Sequence, residues 1–218
     1  MARATPLVKI CGLSTPETVE AALAAGADMV GFVFFAKSPR NVAPETAGAL
    51  AAPARGRARV VALTVDADDA LIEAIGAALA PDLHQLHGRE SPARAAAIRD
   101  RSGVPAMKAL AVAARTDVAA AEAYADAVER ILFDAKPPRD SALPGGNGRA
   151  FDWSLLAGYA GATPWMLSGG LGPDNVAEAI RISGAREVDV SSGVESAPGV
   201  KDVGLIRAFV AAAKAARG

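Results

Sequence analysis

"LVKICGLSTPETVEAALAAGADMVGFVFF", residues 7–35, holds the repeating unit of the fold. An apolar run, 7–11, breaks at Gly12. Thr15 then stands where a helix N-cap belongs, with Pro16 at the first helical position. Gly26 is placed to end the Ala-rich stretch that follows, and 28–35 reads as a second strand. Strand, helix and strand in this order predict a parallel βαβ unit.

The alternation continues to the end of the chain. Further strands are predicted over 58–65, 82–87, 105–112, 129–135, 164–170 and 187–193. Helices are predicted over 44–52, 66–80, 92–101, 116–126, 153–159, 173–183 and 203–216. Two helix-to-strand joints look alike, "AGADMVGFV" (25–33) and "SGAREVDVS" (183–191), each with a glycine where the helix stops. Eight strand–helix units of about 27 residues in a chain of 218 predict an α/β fold, a single (β/α)8 TIM barrel near the lower size limit. An open doubly wound sheet is the structural rival. No Pro/Ser-rich linker divides the chain, so residues 1–218 are expected to form one catalytic domain.

Composition narrows the partners. One cysteine permits no internal disulfide and ties nothing to an oxidising compartment. A net charge of −1 and a pI near 6.1 give no basic footprint for nucleic acid. The opening residues lack the apolar stretch and cleavage pattern of a signal peptide. The longest uncharged run, "WSLLAGYAGATPWMLSGGLGP" (153–173), holds five glycines and two prolines and reads as helix, turn, strand and loop, not as a membrane span. A soluble, cytoplasmic protein with no nucleic-acid or membrane partner is expected.

Barrel active sites form where strands end and βα loops begin, and the unusual residues fall there. Strand 1 ends in Cys11-Gly12, and strand 2 leads into Lys37-Ser38-Pro39-Arg40. Gln85, His87 and Gly88 close strand 4, and Asp134 closes strand 6. Gly169-Gly170 follow strand 7 and Ser191-Ser192-Gly193 follow strand 8, the two positions where barrels often bind phosphate. A phosphorylated small molecule is the predicted ligand. Strand alternation puts Leu7, Lys9 and Cys11 on one face and Arg130, Leu132 and Asp134 on another. Lys9, Lys108 and Asp189 are then candidates for a paired polar cluster inside the barrel, since buried charges need partners. Residue chemistry alone leaves Cys11 open between a small core residue and a thiol at the mouth of a site.

His84 and His87 face opposite ways on one strand and cannot share a metal. No metal-ligand spacing, serine elbow, dinucleotide fingerprint or Walker loop occurs, so no cofactor or metal is expected. Trp153 and Trp165 read as packing residues.

The segments "VKICGL", "GADMVGFVFFAKSPRNV", "QLHG", "LFDA", "GGNGRAFDW", "LSGGLGPDNV" and "VDVSSGVESAPGVKD" run in order from residue 8 to residue 202. Together they resemble phosphoribosylanthranilate isomerase of tryptophan biosynthesis, a cofactor-independent (β/α)8 barrel. The resemblance implies an Amadori rearrangement of N-(5-phosphoribosyl)anthranilate, with Asp134 as general acid on the ring oxygen and Cys11 as general base at C2. It implies that Arg40 receives the anthranilate carboxylate and that Gly169, Gly170, Ser191, Ser192 and Gly193 hold the phosphate. Gln85, His87 and Asp189 are expected to face the substrate. For these roles the Cys11 thiol should lose its proton more readily than usual, while Asp134 should keep its own.

The 135–150 loop, expected to fold over the substrate, departs from the family pattern "GGTGKTFDW" at Asn147, Arg149 and Ala150. The related sugar isomerisation of histidine biosynthesis is expected to use a carboxylate in place of the thiol. A catalytically silent barrel that binds a phosphorylated ligand is the rival of a different class. Monomer and homodimer are both open.

Overall fold

Eight strands close a parallel barrel in chain order: β1 (Leu7–Cys11), β2 (Met29–Phe34), β3 (Arg59–Thr64), β4 (Leu83–Leu86), β5 (Ala106–Val112), β6 (Arg130–Ala135), β7 (Trp165–Leu167) and β8 (Glu187–Val190). β8 pairs back onto β1, with Lys9 beside Asp189 in the register. The computed structural model describes residues 5–136, 145–146, 148 and 150–216. The doubly wound alternative is excluded by this closure.

Helices α1 (Pro16–Ala25), α2 (Pro44–Ala51), α3 (Asp69–Leu79), α4 (Pro92–Ser102), α5 (Arg115–Ala119), α6 (Val176–Ser183) and α7 (Val203–Ala215) ring the barrel. The first begins as its sequence requires. Thr15 is extended and its side chain accepts from the Thr18 amide at 3.3 Å, while Pro16 has no N–H and so needs no acceptor. Gly26 and Gly184 end α1 and α6 with φ of 89° and 75°, left-handed conformations that glycine adopts without strain. The two similar joints are therefore the same device used twice.

Three expectations change. In the sixth unit, 153–159 forms only one 3-10 turn, Trp153–Leu156, because Gly158, Gly161 and Pro164 leave no room for a longer helix. The fifth unit splits into α5 and a 3-10 segment, Ala120–Tyr124. Between β8 and α7 an antiparallel hairpin appears, β9 (Glu195–Ala197) and β10 (Val200–Lys201), which the sequence reading passed over.

The interior is layered. Met29, Val61, Leu83, Met107, Ala109, Leu132 and Met166 fill the middle of the barrel, and Cys11, Val33 and Leu63 form the layer toward the C-terminal rim. A larger apolar shell lies between strands and helices. Lys9 is fully buried inside, its Nζ 2.7 Å from Asp189 Oδ1. Removing one partner would leave a bare buried charge, at a cost of about 3–5 kcal/mol. Lys108 does not join them. On β5 it is Met107 and Ala109 that point inward, so Lys108 faces outward and donates to Leu86 O, Gly88 O and Glu90 Oε2.

Candidate active site

The C-terminal rim opens into one cleft, partly enclosed and lined by residues from the ends of several strands. Cys11, Arg40, Gln85, His87, Asp134, Gly169, Gly170, Asp189, Ser191 and Ser192 all line it, as the sequence placed them. Gly193 does not. It sits against the Leu171 carbonyl, where a side chain would collide with backbone, so it packs the β8 loop onto the β7 loop.

Cys11 ends β1 with 3% of its surface exposed. The glycine after it has a physical reason. Gly12 has φ of 78°, and a Cβ there would come 2.6 Å from Arg40 Cδ, so the Arg40 side chain crosses the chain at this point. The expectation of an unusually acidic thiol is not met in the free site. Burial pushes the Cys11 thiol up, Lys9 and Lys201 pull it down, and Asp189 adds to the upward side. Burial is the largest of these effects, and it sets the direction.

Asp134 is 5% exposed at the end of β6. Its Oδ1 accepts from the Ala135 amide at 2.8 Å, and its Oδ2 lies 3.1 Å from His87 Nε2. Gln85 Nε2 is 2.9 Å from His87 Nδ1. With the Gln85 amide donating, His87 carries its proton on Nε2 and presents it to Asp134. Gly145 lies directly over this pair, since a Cβ there would stand 2.6 Å from His87 Nε2 and 2.7 Å from Asp134 Oδ2. A Cβ on Gly146 would likewise stand 2.7 Å from Arg40 Nη1. The described part of the β6 loop thus crosses the cleft. Asn147 and Arg149 lie outside the described residues, and Ala150 is exposed.

Arg40 is buried and engaged. Its Nε donates to Glu195 Oε1 at 2.7 Å and its Nη2 to Glu195 Oε2 at 2.8 Å, a two-point pairing that fixes the guanidinium plane. Lys201 approaches from β10, donating to Glu195 Oε1 at 2.6 Å and to Ser191 O at 2.9 Å. Glu195 and Lys201 are the site residues the sequence reading missed. The signal was present: "SAPG" between two short runs is a hairpin turn. Arg40 and Lys201 hold the Glu195 carboxyl below its usual range against the opposing effect of burial.

Asp189 lies on the cleft floor with both oxygens occupied, Oδ1 by Lys9 and Oδ2 by Ser168 Oγ at 3.1 Å. After β7, Gly169 and Gly170 take φ of 88° and 64°, turning the chain without side chains to block the approach of a ligand to the backbone. Among the described residues no group of three potential metal ligands occurs. Trp165 packs edge-on against Phe133 and Tyr159, in the shell outside the barrel.

Buried ionisable groups gathered at the strand ends around one cleft mark an enzyme of the (β/α)8-barrel class. A family model described as N-(5'phosphoribosyl)anthranilate (PRA) isomerase matches residues 8–212. N-(5'-phosphoribosyl)anthranilate isomerase of Rhodopseudomonas palustris (strain HaA2) is 61% identical over 209 residues, 96% of each chain. The chain belongs to the N-(5'-phosphoribosyl)anthranilate isomerase family. The crystal structure of phosphoribosyl anthranilate isomerase from Thermotoga maritima is similar with a TM-score of 0.85 at 36% identity, covering 98% of this chain and 99% of that one. A crystal structure of phosphoribosyl anthranilate isomerase in complex with reduced 1-(o-carboxyphenylamino)-1-deoxyribulose 5-phosphate gives 0.82 at 34% identity, over 98% and 99%.

Proposed function

We propose that residues 1–218 form one catalytic domain, an isomerase of tryptophan biosynthesis in which Asp134 is the general acid and Cys11 the general base. The reaction is the Amadori rearrangement of N-(5-phosphoribosyl)anthranilate to 1-(2-carboxyphenylamino)-1-deoxyribulose 5-phosphate. Asp134 gives its proton to the furanose ring oxygen, the C1–O bond breaks, and the anthranilate nitrogen supplies the electrons of the resulting Schiff base. Cys11 as thiolate takes the proton from C2, leaving the enolamine. Proton transfer from the C2 hydroxyl and onto C1 then gives the ketone.

One observation carries the assignment: Cys11 and Asp134, three strand positions apart around the ring, line a single cleft. The surrounding groups fit the charges that develop. The His87 Nε2–H supports the Asp134 carboxylate left after the first transfer. Arg40, held by Glu195, suits a planar carboxylate. The glycine and serine loops after β7 and β8 suit a phosphate.

The test follows the fluorescence of phosphoribosylanthranilate with purified protein. Decay is expected with wild type and loss of about a hundredfold or more with folded Asp134→Asn. Wild type that binds inorganic phosphate but leaves the substrate intact would establish the silent barrel instead.

A further inference from the structure

Two lysines stand near the Cys11 sulfur, and they are not equivalent. Lys201 directs its ammonium at Ser191 O, Ser191 Oγ and Glu195 Oε1, which accounts for its three donors. Lys9 has one oxygen partner among the described residues, Asp189 Oδ1 at 2.7 Å, leaving two N–H bonds for other neighbours. It lies two residues before Cys11 on the inward face of β1. Gly31, level with Cys11 on β2, shows how close the two groups come: a Cβ there would stand 3.2 Å from Cys11 Sγ and 3.2 Å from Lys9 Nζ. Ammonium and sulfur therefore border the same small space, kept open because β2 has no side chain at that point. Asp189 is itself held by Ser168 on its other oxygen, so the ammonium is anchored from below.

Accepting the reading of Cys11 as base, we propose that Lys9 is a positioning residue of the isomerisation: its ammonium, anchored by Asp189, stabilises Cys11 as the thiolate that receives the C2 proton. The groups facing the sulfur are Lys9 from β1, Asp189 from β8 and Lys201 from β10. Burial and Asp189 oppose the thiolate, while Lys9 and Lys201 favour it. Burial also works against the Lys9 ammonium, yet Asp189 and Cys11 together carry its pKa above the ordinary value, so Lys9 is charged at neutral pH. A neutral residue in its place would leave burial and Asp189 with only Lys201 against them.

Cys11 is the one cysteine in the chain, so alkylation by iodoacetamide reports its titration without interference. The rate would be followed from about pH 6 to about pH 10 in wild type, Lys9→Met and Asp189→Asn, with circular dichroism as the check on folding. Lys9→Met is expected to slow alkylation at neutral pH about tenfold or more, moving the profile at least about one pH unit up. Asp189→Asn is expected to move it down and speed the reaction. A purely structural role for the pair would loosen the barrel in both variants and shift both rates the same way. Profiles that coincide with wild type, or that move in one direction together, overturn the proposal. If Lys9→Met does not fold, Lys9→Gln, which keeps a hydrogen-bond donor toward Asp189 without the charge, takes its place, and a profile that stays or moves down overturns the proposal. Alkylation needs no turnover. Opposite shifts alongside a fully active Cys11→Ser would therefore leave the Lys9–Cys11 coupling standing and remove the base assignment.

Discussion

Burial and two ammonium groups act on Cys11 in opposite senses, and burial prevails. The thiol stays protonated at neutral pH in the free site, and the fraction present as thiolate is small but strongly basic. The consequence for rate has a definite sign. The base form lies above the ordinary thiol value of 9.0, so kcat/KM should climb as pH rises through neutrality toward pH 9. A pH–rate profile that is flat from about pH 7 upward would place the base elsewhere. The same residue shows what its neighbours in sequence disclose. That Cys11 lies at a rim followed from strand alternation and from Gly12. That its environment raises the thiol did not follow, because it depends on Asp189, 178 positions away in the chain, and on the depth of burial.

The glycines of the β6 loop bring the loop's backbone against the site. Gly145 passes over the His87–Asp134 contact with no space for a methyl group. Gly145→Ala should therefore separate that pair, lowering kcat between about tenfold and a hundredfold while leaving thermal stability close to wild type. Steady-state kinetics beside a melting curve checks this, and an unchanged kcat would mean that the loop stands clear of the acid during turnover. Elements with caps and period were legible from the sequence: α1 between Thr15 and Gly26 is one, α3 with its acidic start is another. Others were not. The 3-10 turn at Trp153–Leu156 is too short for any helical period to show. The β9–β10 hairpin shows itself only in its Pro198-Gly199 turn, because its strands of two or three residues are too short for alternation to be visible. Lys108 was placed inside because a parallel strand is apolar on both faces, so its pattern does not say which side is in.

At the scale of the whole molecule, a second buried base links stability to pH. His84 is wholly buried on the outer face of β4, with neither ring nitrogen paired among the described residues. Burial lowers its pKa from 6.5 to about 4, so the folded protein holds it neutral while the unfolded chain binds a proton. The stability that depends on its neutrality is complete above about pH 6.5 and is lost as pH falls toward about 4, amounting to about 3 kcal/mol across that window. His84→Leu removes the proton site. Urea unfolding at about pH 7 and about pH 4.5 should show the variant losing about 2–3 kcal/mol less than wild type between the two. Equal losses would mean that His84 does not carry the dependence. The layer outside the strands makes such a site, since it covers the outward face of β4, a contact that the strand's own residues do not reveal.

With Cys11 as the base, a thiol on β1 removes the C2 proton of the sugar. Single-turnover decay of phosphoribosylanthranilate with excess enzyme, wild type beside Cys11→Ser, tests it most directly. A folded Cys11→Ser protein that binds inorganic phosphate as wild type does, yet consumes substrate about a hundredfold or more slowly, is the predicted result. Decay at the wild-type rate would contradict it and leave the barrel, its cleft and its family intact without Cys11 as the base.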